Sequence, residues 1–417
     1  MKPITRRKFL KGAAAAGGAA AISGFPAFLR EGLGARPVKW GSIQPTTGPY
    51  STEAFDQKLG VELAIAHVNE QGGVMGRPVK LLFRDDQFKW DQTTSHALDL
   101  LDNHRVDFIG GSMVGPEEVR LNEISRKRGI IYANYPQHIL STPGNAKKMS
   151  RYFFTANVTP YQTAAAVARY ADRKKLGKRW HFIGDDYIWP KMFIPAYTTI
   201  AKQVGASFDP DRDTSWVPFP ASTDYSAHFP KILKAKPDVL FPTMWGSHQV
   251  AFVKQAREAR LHEKIQIVLS LTEITMPEAA GVGMYSDFFA GTTWYWTVKD
   301  RYPGAKKFYD AFFAVRKRPP SAYASSAYEL VRLILETANE IKSLKPEPLR
   351  KALEGRRFQY VKGESWIRPC DHVCVSDFFV MKGKKASAMK SKWDFFDVVD
   401  LVGGEGNTLP CAAKGLV

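Results

Sequence analysis

From residue 38 onward the chain alternates short apolar runs with longer stretches of helical spacing. Val38–Gln44, Pro78–Arg84, Val106–Gly110 and Ile130–Ala133 are apolar runs of strand length. Between them, Glu53–Gln71, Gln92–Asn103 and Glu117–Arg128 carry helical periodicity, the first with Phe55, Leu59, Leu63 and Ala66 on one side. Gly72-Gly73 ends that helix, because glycine accepts the left-handed stop that other residues resist. The pattern restarts with a helix at Pro160–Lys175, a strand at Arg179–Gly184 and a helix at Lys191–Val204. Helices at Tyr225–Lys236 and His248–Arg260 then flank the strand Val239–Thr243, with further strands at Gln266–Ser270 and Phe288–Thr292. Helices follow at Tyr302–Arg316, Ala322–Lys342 and Pro346–Glu354. The tail Gln359–Val417 reads mostly as short strands, among them Val375–Met381 and Trp393–Val399. Strands that alternate with helices predict an α/β fold with parallel sheets covered on both faces, here in two units of similar build.

Composition adds the compartment. The chain has 417 residues, 44% hydrophobic and 24% charged, which excludes a disordered chain, and three Cys exclude a disulfide-stapled miniprotein. Residues 1–35 stand apart from the alternation. Thr5-Arg6-Arg7-Lys8-Phe9-Leu10-Lys11 resembles the bacterial twin-arginine export signal. An Ala/Gly-rich run, Gly12–Ile22, follows it, and small residues up to Ala35 suit cleavage there. Gly17, Gly18, Ser23, Gly24 and Pro26 interrupt the run, so it makes a poor spanning helix. A soluble periplasmic protein is expected. The formal charge of +18 falls to about +13 once Lys2, Arg6, Arg7, Lys8, Lys11, Arg30 and Glu31 leave with the signal. The remaining basic clusters, such as Arg126-Lys127-Arg128 and Arg173-Lys174-Lys175, sit at helix ends where the dipole favours them. They do not form one stripe with interleaved aromatics, so no nucleic-acid partner is expected.

Asn69-Glu70-Gln71-Gly72-Gly73-Val74-Met75-Gly76-Arg77-Pro78-Val79 resembles the end of the first helix and start of the second strand in the leucine/isoleucine/valine-binding protein family. Thr46-Thr47-Gly48-Pro49, Asp85-Asp86 and Ile109-Gly110-Gly111-Ser112 resemble the same family, and the similarity runs over most of residues 38–400. These are solute receptors of branched-chain or hydrophobic amino acid ABC transporters. The resemblance implies a type I periplasmic-binding-protein fold, two Rossmann-like lobes with parallel sheets joined by three crossovers. Lobe one would comprise 38–156 plus 290–362, and lobe two 157–289 plus 363–417. The implied partners are a small-molecule ligand and ABC permease subunits in the membrane, and the receptor would act as a monomer without a cofactor.

The resemblance also implies where the ligand sits. Lobe one would offer Ser112, Met113 and Val114 after the third strand, and Tyr135, Gln137 and His138 after the fourth. Tyr135–His138 are bulkier than the small residues of the family pattern, which suggests an aromatic, amide or compact polar ligand. Lobe two would offer Tyr187 and Trp245 as aromatic walls and Glu273 as an ammonium-binding acid, with Trp294 near a crossover. Such a set suits a ligand with an ammonium or amide group and an apolar part. Asp85-Asp86 falls at a strand end where open α/β sheets bind ligands, or else caps the next loop. Bare backbone at Gly110-Gly111-Ser112, leading to a helix start near Pro116, offers N–H groups to a carboxylate.

Other chemistries find little support. Gly111-Ser112-Met113-Val114-Gly115 has Val114 in place of the glycine that a nucleophile elbow needs two residues after its serine, and no phosphate loop or zinc-protease motif is present. Cys370, His372 and Cys374 with Cys411 could be drawn as a metal site, but export favours a disulfide. Cys411 could pair with Cys370 or Cys374, or the two near neighbours could pair with each other, and one thiol is left over. A sensor of the same fold for amides, urea or aromatic compounds is the alternative to a transport receptor, and an exported enzyme is a third class.

Overall fold

The computed structural model describes residues 36–136 and 148–409; Gln137, His138, Cys411 and the leader lie outside them. Five strands, β1 (Val38–Gln44), β2 (Val79–Asp85), β3 (Phe108–Gly111), β4 (Tyr132–Asn134) and β5 (Phe153–Thr155), form a parallel sheet in the order β2-β1-β3-β4-β5. Strand periodicity divides its side chains between two helical layers. Trp40, Phe108, Ala133 and Phe154 pack with α1 (Ser51–Glu70). Ile43, Ile109, Tyr132 and Phe153 face α2 (Trp90–Asp102) and α3 (Gly115–Arg128). β5, only three residues long, carries no pattern of its own in the sequence.

The second half contains α4 (Pro160–Arg173), β6 (Trp180–Asp185), α5 (Ile188–Lys191), α6 (Ile194–Val204) and β7 (Thr214–Val217). Next come α7 (Phe229–Ala235), β8 (Val239–Thr243), α8 (Ser247–Glu258), β9 (Gln266–Leu269), α9 (Thr275–Ala280) and β10 (Phe289–Thr292). α10 (Pro303–Arg316), α11 (Ala322–Glu340) and α12 (Pro346–Leu353) return to the first half. β11 (Arg357–Phe358), β12 (Ser365–Ile367) and β13 (Cys374–Val375) make a small antiparallel sheet. β14 (Phe378–Gly383) and β15 (Phe396–Val402) then join the second sheet, whose order is β15-β14-β10-β9-β8-β6-β7. That sheet is parallel through β10 and antiparallel at β14 and β15. The α/β class and the parallel-dominated sheets agree with the sequence reading. No helix among the described residues is long and apolar enough to cross a membrane.

The buried side of α1 differs from the expected one at Phe55. Of the expected positions, Leu59 is buried and Leu63 packs against the core, but Phe55 is 45% exposed, and Ala54, Val61, Ala64, Ile65 and Val68 supply most of the buried side. α11 lies against α1, and the close approach selects small residues over the aromatic. Gly60 marks the contact: a Cβ there would stand 2.3 Å from the Ala324 carbonyl oxygen.

The three passages between halves meet in one polar knot. Lys362 and Glu329 form a fully buried ion pair at 3.1 Å. Lys362 also donates to the Ala156 carbonyl at 3.3 Å, on the first passage. Trp294, on the second, donates to the Val361 carbonyl at 2.9 Å, and the Val361 N–H donates to Glu329 at 3.3 Å. Gln162, in the first turn of α4, donates to the Cys374 carbonyl on the third passage at 3.0 Å.

Gly60→Ala should destabilise the protein by about 1–3 kcal/mol through overpacking against backbone, measured by chemical denaturation. Lys362→Met should cost about 3–5 kcal/mol, because it strands a buried carboxylate. The double variant Lys362→Met/Glu329→Leu should recover most of that loss, as a double-mutant cycle will show.

Candidate functional site

Several strand ends and helix starts converge where the two halves face each other, the usual ligand position in open α/β sheets. Tyr50 precedes α1 and Glu53 lies in its first turn. Tyr187 follows β6, Trp245 follows β8, Glu273 follows β9, and Tyr323 opens α11. Tyr187 stacks on Phe219 with centroids 4.3 Å apart. Trp245 meets Tyr323 edge-on at 5.8 Å and Trp189 at 6.1 Å, so the aromatic wall spans both halves. Gly246 has φ 59°, and a Cβ there would come 3.8 Å from the Tyr50 ring.

Hydrogen bonds also cross the cleft. The Thr275 hydroxyl donates to Glu53 at 2.9 Å, and the Ala322 N–H donates to Glu273 at 2.8 Å. Burial pushes the Tyr50 phenol upward, and the nearby Glu53 and Asp185 carboxylates add to this. The Tyr187 and Tyr323 phenols are raised in the same way, chiefly by burial. Tyr323 also feels Glu53, Glu273, Tyr50 and Tyr187, which places the phenols and carboxylates within electrostatic reach of one another. All three hydroxyls therefore remain protonated donors at neutral pH. The Trp245 indole N–H is buried and has no hydrogen-bond partner among the described residues. Beside this wall, Asp185 accepts from the Tyr225 hydroxyl at 2.5 Å and lies 3.1 Å from His248 Nδ1.

Of the residues named from sequence, Tyr187 and Trp245 lie in this wall. Glu273 lies beside it but is 3% exposed and is engaged by Ala322 and by its neighbour Ile274. Burial raises its carboxyl to about 8. Ser112 is buried, donates to Asn134 at 2.7 Å and accepts from the Tyr132 hydroxyl at 3.2 Å. The Met113 and Val114 N–H groups donate to Glu117 of their own helix at 2.6 and 3.3 Å.

Two expected residues belong to the core instead. Tyr135 has no exposed surface, and its hydroxyl accepts from the Trp40 indole at 2.9 Å. Trp294 is 2% exposed and bonded to Val361. Each is an aromatic ring whose polar tip is satisfied internally, which a strand-end position does not reveal. Gln137 and His138 lie outside the described residues. The bulk of Tyr135 therefore gives no information on the ligand.

Asp85 and Asp86 cap the loop after β2: Asp85 accepts from Thr47 and Gln87, and Asp86 from Thr93 and Phe88. Cys370 is disulfide-bonded and Cys374 is a buried free thiol, so the two near neighbours do not pair with each other. His372 is turned to the Phe153 carbonyl and Glu354, at 2.8 and 3.0 Å, and away from metal binding with the cysteines.

Tyr50, Glu53, Phe219 and Tyr323 were not singled out by the sequence. Tyr50 had a signal, an aromatic placed between the turn Thr47-Gly48-Pro49 and a helix. Tyr323 stands 273 positions from it, and only the fold brings the two together.

The comparisons with known proteins point one way. A family model described as periplasmic binding protein matches residues 37–388, and one for the twin-arginine translocation signal sequence matches residues 3–23. Leu/Ile/Val-binding protein homolog 7 of Brucella abortus is 24% identical over 328 residues, covering 76% of this chain and 80% of that protein. An amino acid ABC transporter substrate-binding protein from Pseudomonas fluorescens superposes with a TM-score of 0.82 at 18% identity, over 92% of this chain and 99% of the other. A solute-binding protein from Rhodopseudomonas palustris in complex with 3,4-dihydroxybenzoic acid gives 0.74 at 17% identity, over 88% and 97%.

Glu117 supplies a test of the electrostatics. Its carboxyl is pushed up to about 8, first by burial and then by Asp86, against the pull of the Met113 and Val114 N–H groups. The folded state therefore holds a proton that the unfolded chain releases near pH 4.5. The corresponding stability is present below that pH and is lost as pH rises toward about 8. Glu117→Gln keeps an oxygen for both N–H groups and removes the titration. Its melting temperature should decline less than the wild type's between pH 5 and 8.5, as read by differential scanning fluorimetry.

Proposed function

The chain belongs to the periplasmic binding protein family, and on that footing we propose that it captures a small amino-acid-like or amide-like solute and delivers it to an ABC permease. Its family is one of solute-binding receptors, and its twin-arginine signal directs export to the periplasm. The observation that carries the reading is the mixed origin of the aromatic wall. Tyr50 and Tyr323 come from one half, and Tyr187 and Trp245 from the other. A solute that touches both sides favours the state in which they meet, by its differential affinity for that state.

The lobes in this reading are 38–156 plus 290–362 and 157–289 plus 363–417. The knot of Lys362, Glu329, Ala156, Val361 and Trp294 joins the passages between them, so the permitted motion is hinge closure. The receptor acts as a monomer, and the permease recognises its closed form. Relatives named for leucine, isoleucine and valine and a neighbour holding a hydroxylated benzoic acid support a compact ligand with an apolar part.

Ligand-driven closure gives the test. Small-angle scattering of the exported protein, titrated with a small-molecule library, should reveal a saturable decrease in radius of gyration at one ligand per chain. The loaded protein, and not the empty one, should then stimulate ATP hydrolysis by its reconstituted importer. Binding with no change in dimensions, or turnover of the bound compound, would contradict the receptor reading.

A further inference from the structure

Two buried carboxyls bridge the halves of the protein. Glu273, after β9, accepts from the Ala322 N–H at the start of α11 at 2.8 Å and from the Ile274 N–H at 3.0 Å. Glu53, in the first turn of α1, accepts from the Thr275 hydroxyl at 2.9 Å. The guanidinium groups nearby are turned to a third buried carboxyl. Arg318 holds both oxygens of Asp56 at 2.8 and 2.7 Å, and Arg316 lies 3.4 Å from one of them. Among the described residues no basic side chain forms an ion pair with Glu53 or Glu273.

Where the halves meet, Glu273 therefore faces an excess of acid. Glu53 and Asp56 face it from α1, Arg318 from the segment before α11 and Tyr323 from α11, with Arg316 behind Asp56. α8 turns only the neutral Gln249 to the adjoining Thr272. Three buried carboxyls share two guanidinium charges, and both of those are spent on Asp56. A buried carboxylate without a counter-ion is costly, and a bound proton removes the cost. The carboxyls respond accordingly. Burial first, with Asp56 and Glu53 adding to it, pushes Glu273 up to about 8, against the pull of the Ala322 N–H and Arg318. Glu53 is pushed upward too, chiefly by burial.

We propose that closure of the halves is coupled to uptake of a proton by Glu273, so that acid alone shifts the empty protein toward the closed state and alkali opens it. This rests on the receptor reading, whose two lobes and hinge motion it uses. Glu53, Asp56 and Arg318 lie in one lobe and Glu273 in the other, so opening returns Glu273 to water and takes the opposing acids away. Its carboxyl then falls back toward the ordinary 4.5, whereas in the closed state it lies at about 8. The proton's contribution to closure is complete below about 4.5 and is lost as pH rises toward about 8. Within that window the closed-to-open ratio changes by about tenfold per pH unit.

The test uses the empty exported protein, with fluorophores on Lys89→Cys and Lys191→Cys, which follow β2 and β6 on opposite lobes. Single-molecule energy transfer counts closed and open molecules across the pH range. The closed-to-open ratio should rise by at least about 10-fold from about pH 9 to about pH 6. Glu273→Gln removes the titrating proton and should lose most of that rise. Glu278→Gln, which alters an exposed carboxyl of α9, should keep it. Infrared difference spectra of the protein without either Glu substitution should show a protonated-carboxyl C=O band that grows with the closed fraction. A ratio independent of pH, a rise toward alkaline pH, or a closed population absent at every pH overturns the proposal. A Glu273→Gln variant with the wild-type slope overturns the assignment to Glu273, and a pH response without the infrared band overturns the assignment to a carboxyl. Ligand-driven closure in the scattering experiment, with no response to pH here, leaves the receptor reading in place while the proton coupling falls.

Discussion

The buried ion pair between Lys362 and Glu329 is the constraint on which the two halves depend. Two charges without solvent exposure are costly to desolvate, and such a pair persists only where further hydrogen bonds satisfy it. Here Ala156 accepts from Lys362 and the Val361 N–H donates to Glu329 Oε1, while Glu329 Oε2 has only the ion pair with Lys362.

The cleft is polar on a scaffold with apolar cores. The first sheet divides its side chains between two helical layers, and the second is packed on both faces. The strand ends, by contrast, gather three phenols, an indole N–H and several carboxylates. Glu273 and Glu53 also bridge the halves, through Ala322 and Thr275. Groups that shape the electrostatics of the cleft therefore also contribute to holding its sides together.

Much of the fold was legible in the sequence because buried parallel strands are near-continuous apolar runs and glycine pairs stop the intervening helices. The twin-arginine segment and the stretch Asn69–Val79 were legible as motifs, and the family model covers the chain around the latter. The strands Phe153–Thr155 and Thr214–Val217 were not singled out. The burial of α1 was misjudged at Phe55 because the partner helix α11 demands close approach at Gly60, a tertiary fact. Within the cleft, Tyr187 and Trp245 were named through the family resemblance, and the structure places both in the aromatic wall. Tyr135 and Trp294 occupy similar positions, yet their polar tips find Trp40 and the Val361 carbonyl inside the core. Aromatic identity and strand-end location do not separate those outcomes; a partner more than 60 residues away decides each.

The most direct measurement of the central claim is native mass spectrometry of the protein isolated from periplasm, with the bound molecule released and identified. The account predicts one small amino-acid-like or amide-like solute per chain. Protein that carries no small molecule, and takes up none at one per chain when offered the library, would contradict it.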